Sequence, residues 1–151
     1  MRVFRLCRVA YKDLDGEGAR LYGGRWNSPG RPVVYMSSTL ALAALEYLVH
    51  VDPSDVPADL IALAISIPDD VVIQTVDATA LPSGWAHRAG GPQCQEIGDR
   101  WLAAGSAAVL RVPAAPIPEE SNLLLNPPHP DATRFEIVAE RPFVYDPRLT
   151  D

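Results

Sequence analysis

Proline sets the scale of what this chain can build. Fifteen of the 151 residues are proline, many of them between apolar segments. Proline locks φ, removes a backbone donor and biases the residue before it away from helix. The elements must therefore be short and joined by stiff connections. The length suits one domain, residues 1–151, with one core. Hydrophobic content of 48% and charged content of 21% are those of an ordinary folded chain. A net charge of −6 supplies no overall field for nucleic acid or an anionic membrane. It still permits a local basic pocket for a small anion. No apolar run is long enough to span a bilayer. The start, MRVFRLCRVAY, scatters arginines through apolar residues and does not read as a signal peptide. These points place the chain in a reducing cytoplasm, with Cys7 and Cys94 as buried thiols and no disulfide or metal-ligand spacing.

Alternation predicts a strand over Val3–Val9, with Arg5 and Arg8 on opposite sides. Either arginine can point inward; the plain alternative is that both end in solvent. Residues 11–21 read as a loop, Pro32–Met36 as a strand, and Thr39–His50 as a helix stopping before Asp52-Pro53. Leu60–Ile67 reads as a buried strand and Val71–Val76 as another. Residues 77–93, with Gly84, Gly90 and Gly91, read as a loop. Cys94–Ala104 reads as a helix stopped by Gly105, and Ala107–Val112 as a strand. Leu123–Leu125 leads into the rigid NPPHP turn, and Phe135–Val138 and Pro142–Tyr145 form two last strands. Strands and helices do not alternate regularly, so an α+β domain of twisted sheets with helices packed outside fits best. Neither GxGxxG nor GxxxxGK[ST] occurs, which excludes Rossmann and P-loop phosphate cradles.

Chemistry concentrates between Tyr22 and His50. The helix TLALAALEYLVH is apolar nearly all round, which predicts burial. Glu46 is its one carboxylate, and a buried carboxylate needs a partner. It is either a structural group satisfied locally, for example by His50 one turn on, or part of a site opened by the small Ala43 beside it. Gly23-Gly24 lets a ligand approach the main chain. Arg25, held directly after it, suits bidentate binding of phosphate or carboxylate. The alternative is an arginine stacked on Trp26 or paired with an aspartate. Tyr35 is either a site residue or a core tyrosine with a hydrogen-bonded tip. His50, His87 and His129 have no ligand spacing, and Ser121 has no nucleophile-elbow context. Neither a metal site nor serine nucleophile catalysis is expected.

The string GEGARLYGGRWNSPGRPVVYMSSTLALAALEYLVH resembles the RES domain, the toxin half of RES–Xre toxin–antitoxin systems. IGDRWL, LRVP, ESNLLLNPPHPD and the final DPRL extend the resemblance over essentially the whole chain. It implies an ADP-ribosyltransferase-like fold with an NAD+ cleft between two small sheets. It also implies cleavage of the nicotinamide–ribose bond, with ADP-ribose passed to a protein, phosphate or water. Family catalytic positions fall on Arg25, Tyr35 and Glu46, and Arg5 matches an arginine of the same pocket. Gly24 is expected at the nucleotide. Many members carry serine after LRVP, where this chain has Ala114. Ser38 and Ser121 are the candidates to replace it, and the rest of the far wall is expected between Gln93 and Asn126. NAD+ is then substrate, no metal is needed, and the partner is a cognate Xre-type antitoxin. The competing class is a partner-binding module whose cleft only holds an antitoxin segment.

Overall fold

The computed structural model describes residues 1–87 and 91–150. Seven strands form one mixed sheet: β1 Arg2–Arg8, β2 Val34–Ser37, β3 Leu60–Ser66, β4 Ile73–Thr75, β5 Val109–Pro113, β6 Ser121–Leu125 and β7 Glu136–Pro142. Their order is β4-β5-β6-β2-β1-β3-β7, with β4–β5 parallel and the other pairs antiparallel. Among the described residues three α-helices accompany it, α1 Glu17–Tyr22, α2 Leu40–Leu48 and α3 Gly91–Ala104. The α+β class therefore holds.

The two small sheets expected from the resemblance are joined into one, and the joint is narrow. β1 and β2 share a single register pair, Phe4↔Ser37, whereas β1 pairs with β3 along its whole length. The halves β4-β5-β6-β2 and β1-β3-β7 thus meet at one point and diverge. One face of the sheet carries a continuous core built from both halves, including Val3, Val34, Met36, Ile61, Leu63, Ile65, Val109 and Leu125. The other face is covered in two patches. Cys94 and Trp101 of α3 pack with Trp26, Leu110 and Leu124. Ala43 of α2 packs with Leu6, Leu60, Ala62 and Tyr145.

Three sequence expectations change. Residues 11–21 are not all loop. Asp15 accepts a hydrogen bond from the Glu17 amide (3.0 Å), Glu17 and Arg20 pair across one turn, and α1 forms between two glycines of positive φ, Gly16 (70°) and Gly23 (71°). Only glycine tolerates position 16, because a Cβ there would meet the Val33 amide nitrogen at 2.5 Å. The two final strands are one strand, β7. Its register on β3 passes from Ala64↔Ala139 to Ile65↔Ile137, so Val138 bulges out and pairing continues through Ala139 and the charged Glu140 and Arg141. β7 lies at the sheet edge with every residue exposed, so no hydrophobic pattern marks its course, and Pro142 is tolerated at its end. Finally, α2 is not buried all round. Ala41 and Leu45 (39%) face outward, and Leu42 and Ala43 face the sheet. Of the expected 77–93 loop, Gly90 lies outside the described residues, and Gly91 already belongs to α3.

Candidate functional site

A cavity of about 800 Å³ lies between the two helix-covered patches. Phe4 and Leu6 of β1, Tyr35 and Ser37 of β2 and Asn122 of β6 line it from the sheet. The Gly23–Trp26 loop borders it from the α3 side, and Ala43, Glu46 and Tyr47 border it from α2. The cavity gathers Arg5, Gly24, Arg25, Tyr35 and Glu46, five residues separated in sequence by up to 41 positions (46 − 5).

Ser38 and Ser121 are not among its lining residues; their sequence neighbours Ser37 and Asn122 are. The reason is the pleat of the sheet. In the β2–β6 ladder Tyr35 pairs with Leu124 and Ser37 with Asn122. Side chains alternate faces along a strand, so Tyr35, Ser37, Asn122 and Leu124 share one face and Ser121 takes the other. Ser38 and Ser121 meet only through the backbone, the Ser38 amide donating to the Ser121 carbonyl at 3.0 Å. Ala114, where the resemblance expects serine, is fully buried and pairs its amide with the Glu120 carbonyl.

Glu46 is half-buried, and its partner is not the one expected. His50 Nδ1 lies 2.7 Å from the backbone carbonyl of Glu46, the last-turn contact of a helix, and leaves the carboxylate alone. The carboxylate accepts instead from Asn122: Nδ2 donates to Oε1 at 2.5 Å. The Asn122 carbonyl in turn accepts from the Ser37 hydroxyl at 2.7 Å. Ser37, Asn122 and Glu46 form a chain across β2, β6 and α2, and Asn122 and Ser37 are both buried. Asn122 falls within the far-wall span expected from sequence, but nothing local distinguishes it from Asn126. At the start of α2, Thr39 accepts from the Leu42 amide (3.1 Å) and donates to Glu120 (3.1 Å), pinning the helix N-terminus to the approach of β6.

The loop wall is more heavily tied. Tyr35 donates to Asn27 Oδ1 (2.7 Å) and accepts from the Trp26 amide (3.0 Å). Burial pushes its hydroxyl well above the usual phenol range, so it stays a neutral donor. The core alternative for its tip holds, although its ring still lines the cavity. Asn27 is fully buried and donates to the carbonyls of Ala19, Ser28 and Arg31. Gly24 must be glycine here, because a Cβ would meet the Tyr35 hydroxyl at 2.5 Å. Gln95 of α3 donates to the Gly24 carbonyl (3.0 Å), and Asp99 of α3 accepts from Ser28 through both amide and hydroxyl. Gly98 lets α3 lie directly on Trp26, whose carbonyl would be 1.7 Å from any added Cβ.

The two arginines differ in how much bonding capacity they retain. Arg25 donates to the carbonyls of Trp85 (2.6 Å), Ala86 (3.2 Å) and His87 (3.1 Å), gripping the turn that follows Pro82. That engages three of the five N–H donors of a guanidinium. Arg5 uses one, to the Asp13 carbonyl at 2.9 Å, among the described residues. Burial pushes Arg5 below its ordinary value, and Cys7, Asp15 and Asp13 act the other way. It remains a desolvated cation at the cavity with most of its fork unspent.

Comparisons with known proteins place the chain in a family. The RES domain matches residues 2–146. The chain belongs to the RES domain family. The Prs ADP-ribosylating toxin of Sphingobium sp. is 40% identical over 139 residues, covering 91% of this chain and 86% of that protein. Toxin Res of Photorhabdus laumondii is 38% identical over 152 residues, covering 99% of this chain and 97% of that protein. Among solved structures, the M. tuberculosis MbcT-MbcA toxin-antitoxin complex includes a chain that superposes with a TM-score of 0.75 at 20% identity. The superposition covers 94% of this chain and 83% of that one, and establishes the likeness of fold. Among the described residues no helix is long and apolar enough to cross a membrane, and no group of three or more His, Cys, Asp or Glu is placed to hold a metal ion.

Proposed function

We propose that this RES-domain protein is the toxin of a toxin–antitoxin pair and acts by cleaving the nicotinamide–ribose bond of NAD+. The observation that carries the reading is Glu46: a carboxylate with one oxygen held by Asn122, lining the same cavity as the desolvated Arg5. Relatives named as toxins, one of them as an ADP-ribosylating toxin, support it. About 800 Å³ is within the range that encloses a small-molecule ligand.

The chemistry follows from charge. When the C1′–N bond breaks, its electron pair neutralises the pyridinium nitrogen, and the ribose becomes an oxocarbenium ion. Nicotinamide leaves as a neutral molecule, so no strong general acid is required. The carboxylate of Glu46 stabilises the developing cation, and its second oxygen accepts from a ribose hydroxyl. Arg5, with more donors free, is the better anchor for the pyrophosphate. Arg25 acts mainly by holding the turn at Trp85–His87 against the loop, which fixes that wall for a near-attack conformer. The acceptor that adds to C1′ is a protein side chain, phosphate or water. The partner is a cognate antitoxin, Xre-type by resemblance, in keeping with a fold neighbour that was solved as a toxin-antitoxin complex. The acidic net charge favours that protein contact over direct nucleic-acid binding.

Purified protein incubated with NAD+ is expected to release nicotinamide, and Glu46→Gln to lower that rate by roughly 10²- to 10³-fold with the fold retained. A folded Glu46→Gln protein of undiminished rate would overturn the assignment. Product analysis with and without phosphate, and with a labelled adenylate, distinguishes the three acceptors.

A further inference from the structure

The chain Ser37–Asn122–Glu46 is directional, and its direction can be read from donor chemistry. A hydroxyl donates to the Asn122 carbonyl and a carboxylate can only accept, so the amide has one consistent orientation: Oδ1 toward Ser37, Nδ2 toward Glu46. The opposite flip would set the carbonyl against the carboxylate and leave Ser37 Oγ facing an NH2. All three side chains line the cavity, and the two behind Glu46 are buried. The resulting contact is charge-assisted and occupies one oxygen of the carboxylate. Among the described residues Oε2 has no hydrogen-bond partner. The contact also spans the narrow joint of the sheet. Ser37 is the residue of β2 that pairs with β1, and Asn122 ties that same point to α2.

We propose that Asn122 is a positioning residue for Glu46: Ser37 sets the flip of its amide, and the amide fixes the carboxylate so that Oε2 is presented to the substrate. The inference deepens the NAD+-cleavage reading and rests on it for its kinetic consequence, though not for the contact itself. Substrate binding should depend little on Asn122, because the binding cations lie elsewhere in the cavity. The reactive step should depend on it strongly, because a misplaced catalytic group loses rate before it loses affinity.

Two measurements test this on the full chain. In side-chain amide NMR, one Asn122 Nδ2 proton is expected far downfield in the wild type. It should return toward the ordinary range in Glu46→Gln and move partway in Ser37→Ala. An ordinary shift in the wild type, or no response to Glu46→Gln, would overturn the proposal. In nicotinamide release, Asn122→Ala is expected to lower kcat roughly 10- to 100-fold with KM changed less than about threefold. Ser37→Ala should show the same pattern at smaller size, and it carries the kinetic test if Asn122→Ala does not fold. Unchanged kcat, or loss confined to KM, counts against a positioning role. If the wild type releases no nicotinamide, the proposed activity fails, while the amide spectrum still decides whether Asn122 holds Glu46.

Discussion

The two walls of the cavity are held by different means. The loop wall, from Gly23 to Ser28, is locked by a dense polar lattice: Tyr35, Asn27, Gln95, Asp99 and Arg25 each bond backbone or side chain across elements. Trp26 is 2% exposed under α3 and tilts against Trp85 with ring centroids 6.3 Å apart. The helix wall, α2, rests on an apolar patch and, among the described residues, three longer-range polar ties: Thr39 to Glu120, Asn122 to Glu46 and the Tyr145 hydroxyl to the Ala44 carbonyl at 2.5 Å. Its outer side is apolar and open. The donors of the loop wall are spent on protein carbonyls, which makes that wall rigid. On the helix wall one amide, Asn122, holds the Glu46 carboxylate.

This contrast can be broken or sharpened by substitution. The largest effect is expected at Trp26→Ala, which empties the centre of the locked wall. Stability should fall by about 3–5 kcal/mol in urea unfolding, and the loss should spread to α3. Next come two tyrosines, half-buried Tyr35 and buried Tyr145, one for each wall. Tyr35→Phe strands a buried amide and the Asn27 carbonyl, and should cost about 1–3 kcal/mol, whereas Tyr145→Phe removes a single bond and should cost about 1 kcal/mol. Equal costs would erase the distinction.

A pH series separates the walls in another way. Burial pushes the Tyr145 hydroxyl up to about 12, with Tyr47 adding to the shift, and pushes Tyr35 up as well. An unfolded tyrosine ionises near about 10. A group whose folded value is raised binds its proton more tightly when folded. Its contribution is complete below about pH 10 and is lost as the pH climbs toward 12. Unfolding free energy is therefore expected to decline across that interval, and more gently in Tyr145→Phe. The smallest effect is expected at Leu45→Ser on the open side of α2. There the change in stability should stay within about 0.5 kcal/mol, and a larger loss would mean that the outer face of α2 is covered.

Much of the local structure is legible along the chain because its periods are short. The alternation of β1, the apolar run of β3, the Thr39 cap of α2 and the Gly105 stop of α3 all rest on neighbours within a few residues. Where the local signal is weak, so is the reading. α1 is held between two glycines by one local ion pair, and β7 is an exposed edge whose only warrant is its pairing with β3. The site followed the same rule. Arg25, Tyr35 and Glu46 stand out by composition around them, but whether each has a partner cannot be seen from spacing. Arg25 and Tyr35 turned out to be largely committed to the loop, and Arg5 spends one donor on the Asp13 carbonyl.

By itself the sequence determined the inventory: short strands punctuated by proline, the GGRWN turn, an apolar helix with one carboxylate, and a family resemblance spanning the chain. Tertiary structure decided which of these meet. β1 and β2 share one register pair, and the cavity opens beside that joint, lined by Arg5 as well as by Phe4 and Leu6 of β1. The pleat turns Ser37 and Asn122 toward that cavity and leaves Ser38 and Ser121 out of it. The partner of Glu46 lies 76 positions away, while the histidine one turn along its own helix takes a backbone carbonyl instead. Periodicity selects a face within an element, but only strand register selects which polar groups across elements share it, and register is a property of the whole packed sheet.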